Sequence, residues 1–255
     1  MPENQSPLNS RNTLADWRTI NEAVKIANRL ENVKITSSDI FRHALCGTIC
    51  LSIYFQSPIT LRKIRTAGYK IKLKPIENRL ISRLCMLDKR SFLEGRNLIL
   101  STDGEYFSPS KIIIDTVLSG HEYIIIQNLL AHALKIPPPI IGARYSNYGI
   151  SLSLSEDIFQ AFEKITWQER IKKQIIQLPD DISADIYKKI TLKNMDEYSY
   201  KDYFPIHDLP KDACFVIRHN ELDKLIDISI KKNTIIVFNS NFHAFISYVL
   251  ACLQT

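Results

Sequence analysis

The densest chemistry in this sequence is positive charge. Between Arg62 and Arg96 stand 11 basic residues against three acidic ones, Glu77, Asp88 and Glu94. The basic members are Arg62, Lys63, Arg65, Lys70, Lys72, Lys74, Arg79, Arg83, Lys89, Arg90 and Arg96. Residues 69–73 (YKIKL) alternate, so a strand there sets Tyr69, Ile71 and Leu73 on one face and Lys70, Lys72 and Lys74 on the other. That predicts a half-buried strand with a basic outer side. A phosphate backbone rewards such clustering, because every neutralised phosphate releases condensed counterions. A solvated face, or one turned to an acidic protein, would carry the same letters.

Other chemistries are poorly supplied. There is no Gly-x-Gly-x-x-Gly or Walker-type run to cradle phosphate, no His-Glu-x-x-His, and no Gly-x-Ser-x-Gly. Six histidines (His43, His121, His132, His207, His219 and His243) are scattered through the chain. Cys46 and Cys50 are four apart, but no second Cys/His pair follows at finger-like spacing; they read as small core residues and no metal is expected. Pro179-Asp180-Asp181 resembles the start of a metal-nuclease motif, yet the helical run after it lacks the Glu-x-Lys that would complete one. Leu178-Pro179 ending a helix explains the same letters. The reading is a protein that is not an enzyme and holds no cofactor.

The elements that must position these residues form one large domain or two ordinary ones, with 255 residues, 45% of them apolar and 24% charged. This composition excludes a disordered chain, a collagen-like one and a coiled-coil rod. Net charge is +6, but positions 1–100 hold 17 basic and 8 acidic residues while the rest hold 16 and 19. Residues 1–13 read as a polar leader without an apolar signal core. The two most apolar stretches, 111–141 and 234–253, are broken by charged or polar residues and prolines, so no membrane span is expected. Five cysteines at irregular spacing fit a reduced, cytoplasmic setting.

Trp17, Ile20, Ala23, Val24, Ala27 and Leu30 recur at helical spacing, predicting a helix from Asp16. Thr36 or Ser37 caps a second helix, with Asp39 in its first turn and Gly47 at its end. ICLSIYF (49–55) is a β-rich run. Residues 92–126 read as short strands (NLIL, KIIIDTVL, EYIII) broken at Asp103-Gly104 and Ser119-Gly120, with a short helix at 127–134 and a rigid Pro137–Pro139 connector. A strand is expected over 149–154 and a helix or helix pair over 155–178, opened by Ser155, Glu156 and Asp157. Helix continues over 181–190, a loop spans 198–210, and 214–217 is a buried strand. A helix from Asn220 to Ile230, a strand at 234–238 and a closing helix at 242–253 complete the chain.

Thr19, Ile20, Glu22 and Ala23, then ITSSDIFRHALCG, then TICLSIYF, together resemble the winged helix-turn-helix head of the MerR and excisionase type. With the elements above, the reading is an α+β fold: an N-terminal helix-turn-helix-like module and β-wing over 14–75, as the resemblance implies, followed by a mixed sheet-and-helix body over 76–255. The resemblance also implies a recognition helix from Ser37 to Leu45 that offers Ser37, Ser38, Arg42 and His43 to base edges, with Gly47 turning into the wing. Arg62, Lys63, Arg65, Lys70, Lys72 and Lys74 would then be phosphate contacts. Three segments, DWRTINEAVKIANRL, DIFRHALCG with LSIYF, and YFPIHDLPKDACFVIRHNEL, are similar to proteins of bacterial prophages and genomic islands. The expectation is therefore a nucleic-acid-binding regulatory or accessory protein of a mobile element or phage-defence system, with DNA or RNA and a protein as partners. The alternative is a non-enzymatic interaction subunit whose basic face meets an acidic protein or RNA.

Overall fold

The computed structural model describes residues 16–231, apart from 31–32, 69, 78, 140–148 and 192–197. The sequence readings at 1–13, 234–238 and 242–253 lie outside the described residues. The chain opens with β1 (Trp17–Thr19), α1 (Ile20–Ala27), α2 (Ser37–Leu45), β2 (Leu51–Phe55) and β3 (Thr60–Ile64). A ribbon segment follows, with β4 (Thr66–Ala67), β5 (Lys70–Ile71) and β6 (Leu73–Pro75), then α3 (Leu80–Met86) and α4 (Lys89–Leu93). Next come β7 (Leu98–Leu100), β8 (Thr102–Phe107), β9 (Ile113–Thr116), α5 (His121–Leu134), β10 (Ser151–Leu154) and β11 (Asp157–Thr166). The last elements are α6 (Trp167–Gln177), α7 (Asp180–Thr191), β12 (Lys201–Pro205), β13 (Ala213–Arg218) and α8 over 219–231. The fold is α+β, as the sequence predicts.

Nine strands make one antiparallel sheet in the order β1-β13-β2-β9-β10-β11-β3-β8, with β12 alongside the second half of β11. Strands β2 and β3 stand four places apart, yet only residues 56–59 join them. Five Cα–Cα steps reach at most about 18 Å, and four interstrand spacings of a flat sheet span about 19 Å. The sheet must therefore coil. One core gathers α1, α2, α5 and α8 with the sheet, through Ala23, Ile40, Phe41, Ile53, Ile126, Phe215 and Leu225. A second gathers α3, α6, α7 and β12, through Leu84, Cys85, Trp167, Ile171, Ile186 and Phe204.

Local signals explain the N-terminal helices. Thr19 and Thr36 each accept from the third helical amide while Glu22 and Asp39 reach back, two complete capping boxes. The first helix starts at Ile20 rather than Asp16, because Trp17–Thr19 pair with β13 before the cap takes hold. Gly47 closes α2 at φ 69°, where a side chain would be strained. Residues 51–55 are not a wing. They form β2, an interior strand between β13 and β9, because Leu51, Ser52, Ile53 and Phe55 are buried and need cover on both faces. The first core runs from Ala23 to Ile226, so it also crosses the boundary expected at residue 75.

Three other segments depart from the sequence reading. EYIII belongs to α5, not to a strand. Isoleucine costs a helix only a few tenths of a kcal/mol, and burial of Ile124 and Ile126 overrides that preference. Ser155 and Glu156 do not open a helix; both have positive φ (50° and 71°) and turn the β10–β11 hairpin, as the two central residues of a primed turn do. Residues 159–162 in β11 are all buried, so a strand covered on both faces lost the alternation that would have marked it. Within the expected loop 198–210, Lys201–Pro205 pairs with β11.

Candidate functional site

The basic strip of the sequence divides in two once its partners are known. One part is neutralised by the protein. Lys63 lies 2.7 Å from Asp157, Arg96 lies 2.8 Å from Glu94, and Arg90 bonds Glu94 as well. Arg79 is 3.7 Å from Glu77. Arg62 donates to the Gly104 carbonyl and the Tyr106 hydroxyl, with its guanidinium 4.5 Å from the Tyr106 ring centre. Tyr106 stacks on Tyr203 at 3.8 Å, and Lys164 sits 5.0 Å over Tyr203. The result is a ladder of cation, ring, ring and cation. Burial raises the Tyr106 phenol above its usual range, against the pull of Arg62.

The other part is free. Arg65, Lys70, Lys72 and Lys74 are exposed and their side chains make no ion pair or hydrogen bond among the described residues. They lie on a narrow ribbon. Strand β5 pairs with β4, and β6 pairs with β7. Between them the Lys72 amide donates to the Arg65 carbonyl at 2.9 Å while its own carbonyl accepts from Ser101 at 2.9 Å. The expected half-buried strand is only thinly covered: Ile71 is half-buried, but Leu73, also meant for the inner face, keeps 42% of its surface in solvent. No core lies beneath it because the sheet proper ends at β8.

Lys74 also lines a cleft of about 1200 Å³ between the ribbon and the second core. Arg79 and Lys189 add positive charge to it, against Glu77. Trp167, Tyr198 and Tyr200 supply aromatic wall; Tyr200 is 56% exposed. The Trp167 ring centre is 6.4 Å from Tyr198 and 6.2 Å from Tyr200. Its Nε1–H is buried without a hydrogen-bond partner among the described residues, a condition that ordinarily costs a kcal/mol or more, on the order of 1–3. Arrangements of this kind can hold an anion whose attached groups are flat and apolar.

The residues attributed to a recognition helix lie elsewhere, on α2. Its Ile40, Phe41 and Ala44 are buried in the first core and the helix packs on α5. Arg42 is exposed, 3.6 Å from Asp39. The Ser38 hydroxyl is 2.7 Å from that of Thr36. Ser37 and His43 are half-exposed. The structure therefore brings Lys70, Lys72 and Lys74 together with Arg65, joins Arg62 and Lys63 to the sheet, and keeps Ser37, Ser38, Arg42 and His43 on a separate helix.

Sequence reasoning missed a buried polar seam between the two cores. The Glu122 carboxylate is fully buried and accepts from the amides of Ser119 (3.0 Å), Gly120 (2.9 Å) and Ser151 (2.9 Å), and from the Ser151 hydroxyl. Burial pushes its carboxyl up and these donors pull it back down. Gly120 is required: an added Cβ would meet the Gly149 carbonyl oxygen at 2.2 Å. Nearby, Arg170 donates to the Cys85 carbonyl (2.9 Å), Glu163 (2.8 Å) and the Pro205 carbonyl (3.1 Å), with His207 Nδ1 at 3.4 Å. Burial first, then the Arg170 charge, holds the His207 imidazole well below its usual range, so it is neutral at pH 7. His121 and His207 face each other at 5.8 Å. Spacing could not have revealed this seam, since Cys85, Glu122, Ser151, Arg170 and His207 are far apart in sequence and meet only in the fold. With Glu122 and His207 buried, its chemistry is structural.

Cysteine chemistry is equally muted. Burial pushes the Cys50 thiol up to about 11 and the Cys85 thiol up to about 12, so neither is a thiolate at neutral pH. Among the described residues no three His, Cys, Asp or Glu side chains gather to hold a metal, and no helix is long and apolar enough to cross a membrane. Asp180 and Asp181 occupy the first turn of α7, where carboxylates suit a helix N-terminus. No family model, curated protein or solved structure matches the chain.

Proposed function

We propose that this chain is a nucleic-acid-binding regulatory or accessory protein that grips the phosphate backbone through its ribbon. One observation carries the reading: Lys70, Lys72 and Lys74 stand exposed and unpaired along the ribbon, outside both cores. Protein carboxylates neutralise neighbouring cations in the same strip but leave these three available. Such a contact is blind to sequence. A base-reading role for α2 has narrower support, an exposed Arg42 that Asp39 partly neutralises. The mobile-element or phage-defence setting is proposed from the sequence resemblance alone.

The test is fluorescence anisotropy with labelled duplex DNA, single-stranded DNA and RNA over about 50–300 mM salt, the range in which counterion release dominates. Binding that weakens steeply with salt supports the proposal. No binding at about 50 mM overturns it and leaves the ribbon to an acidic protein.

A further inference from the structure

We infer that the cleft beside the ribbon takes the unstacked bases of a single strand, with Lys70, Lys72 and Lys74 following its phosphates. This deepens the proposed function and rests on it. Charge complementarity argues for a polyanion: Lys74 lines the cleft unpaired and continues the free lysines of the ribbon, while Arg79 and Lys189 stand beside it at 3.7 Å from Glu77 and 2.6 Å from Asp185. The wall argues for flat, apolar groups attached to that polyanion. Trp167, Tyr198 and Tyr200 form an aromatic cluster, and Tyr200 leaves more than half its surface uncovered.

Two further features point the same way. The Trp167 ring centre lies within 6.4 Å of both tyrosine ring centres, so the wall is one continuous aromatic surface. The cleft volume of about 1200 Å³ exceeds what one base needs and suits several. A duplex keeps its bases stacked inside and offers the cleft only backbone. Single strands expose a π-face at every nucleotide, and aromatic platforms beside a basic track bind them with little sequence preference.

The experiment uses the full chain and three probes: a labelled 12-nucleotide oligodeoxythymidylate, a duplex of equal length, and inorganic polyphosphate, which carries charge without bases. The parent protein binds the single strand more tightly than the duplex. Tyr200→Ala weakens oligodeoxythymidylate binding roughly five- to a hundredfold, the span of one lost stacking contact, and leaves polyphosphate binding unchanged. Tyr200→Phe retains parental affinity, since the ring and not the hydroxyl is used. Tyr200 is exposed, so circular dichroism of the variant should match the parent. Equal duplex and single-strand affinity, or a Tyr200→Ala variant with parental affinity for the oligonucleotide, overturns the inference while leaving the ribbon reading intact. Failure of all three probes to bind at low salt overturns both.

Discussion

Two regions of this protein use the same residue types to opposite ends. In the seam, Arg170 is buried with its guanidinium shared among two backbone carbonyls, a carboxylate and an imidazole. In the ribbon, Lys70, Lys72 and Lys74 touch no acceptor among the described residues. A buried cation must be fully partnered, because leaving water costs several kcal/mol. An exposed one needs no partner and keeps its donors for a ligand. The difference teaches that cationic density in a sequence marks a binding face only where the fold leaves the cations unpaired. Seam variants should therefore damage the fold, and ribbon variants should damage only binding.

The largest effect belongs to Arg170. Arg170→Ala leaves the Cys85 and Pro205 carbonyls without their donor, while Glu163 keeps Lys173 at 2.6 Å, and about 2–5 kcal/mol of stability should go with the two lost partners. Urea denaturation measures this directly. A loss below about 1 kcal/mol would place the seam with the ribbon and erase the contrast.

Acidification is the next probe. His207 is neutral in the fold while its unfolded counterpart titrates near its usual 6.5. Below that value the unfolded state takes up a proton that the folded state refuses, so stability falls by up to about 1.4 kcal/mol per pH unit. Glu122 acts with the opposite sign. Its raised carboxyl makes the folded state the better proton acceptor above 4.5, so lowering pH toward 4.5 relieves its cost. Thermal melts at pH 7.5 and 5.5 should show a loss in the parent that His207→Asn reduces. An unchanged pH response in that variant would remove His207 from the seam's energetics.

Arg62 sharpens the boundary. It shares a sequence strip with the ribbon lysines, yet its donors go to Gly104 and Tyr106. Arg62→Gln should cost about 0.5–1 kcal/mol in stability, the scale of an exposed cation–aromatic contact, and leave polyanion affinity within about twofold. A large affinity loss with no stability change would move Arg62 back to the ribbon.

Much of this architecture was legible in the letters. Thr19 with Glu22 and Thr36 with Asp39 announced two helix starts, and Gly47 announced an end. Strands β7, β9, β10 and β13 followed from β-branched and apolar runs. What failed had physical causes. Strand β11 is covered on both faces and lost its alternation. The EYIII run entered α5 because burial outweighed local propensity, and the primed turn at Ser155-Glu156 lacks the glycine that would have signalled it. Of the candidate site, the positions of Lys70, Lys72 and Lys74 were legible, but not that Leu73 beside them would stay exposed. The cleft beside them draws on β6, α3, α6 and α7, segments that only the fold assembles. The seam was invisible for the same reason.

The most direct test of the separation between ribbon and seam is one triple variant, Lys70→Gln with Lys72→Gln and Lys74→Gln, measured for both stability and single-strand binding. Stability should stay within about 0.5 kcal/mol of the parent, as for surface changes that touch nothing. Affinity at about 0.1 M salt should fall on the order of a hundredfold, and the log–log salt slope should shrink by about two, at roughly 0.7 counterion per lysine on a single strand. Parental affinity and slope in a stably folded variant would contradict the account, because the three lysines of the ribbon would then carry none of the binding.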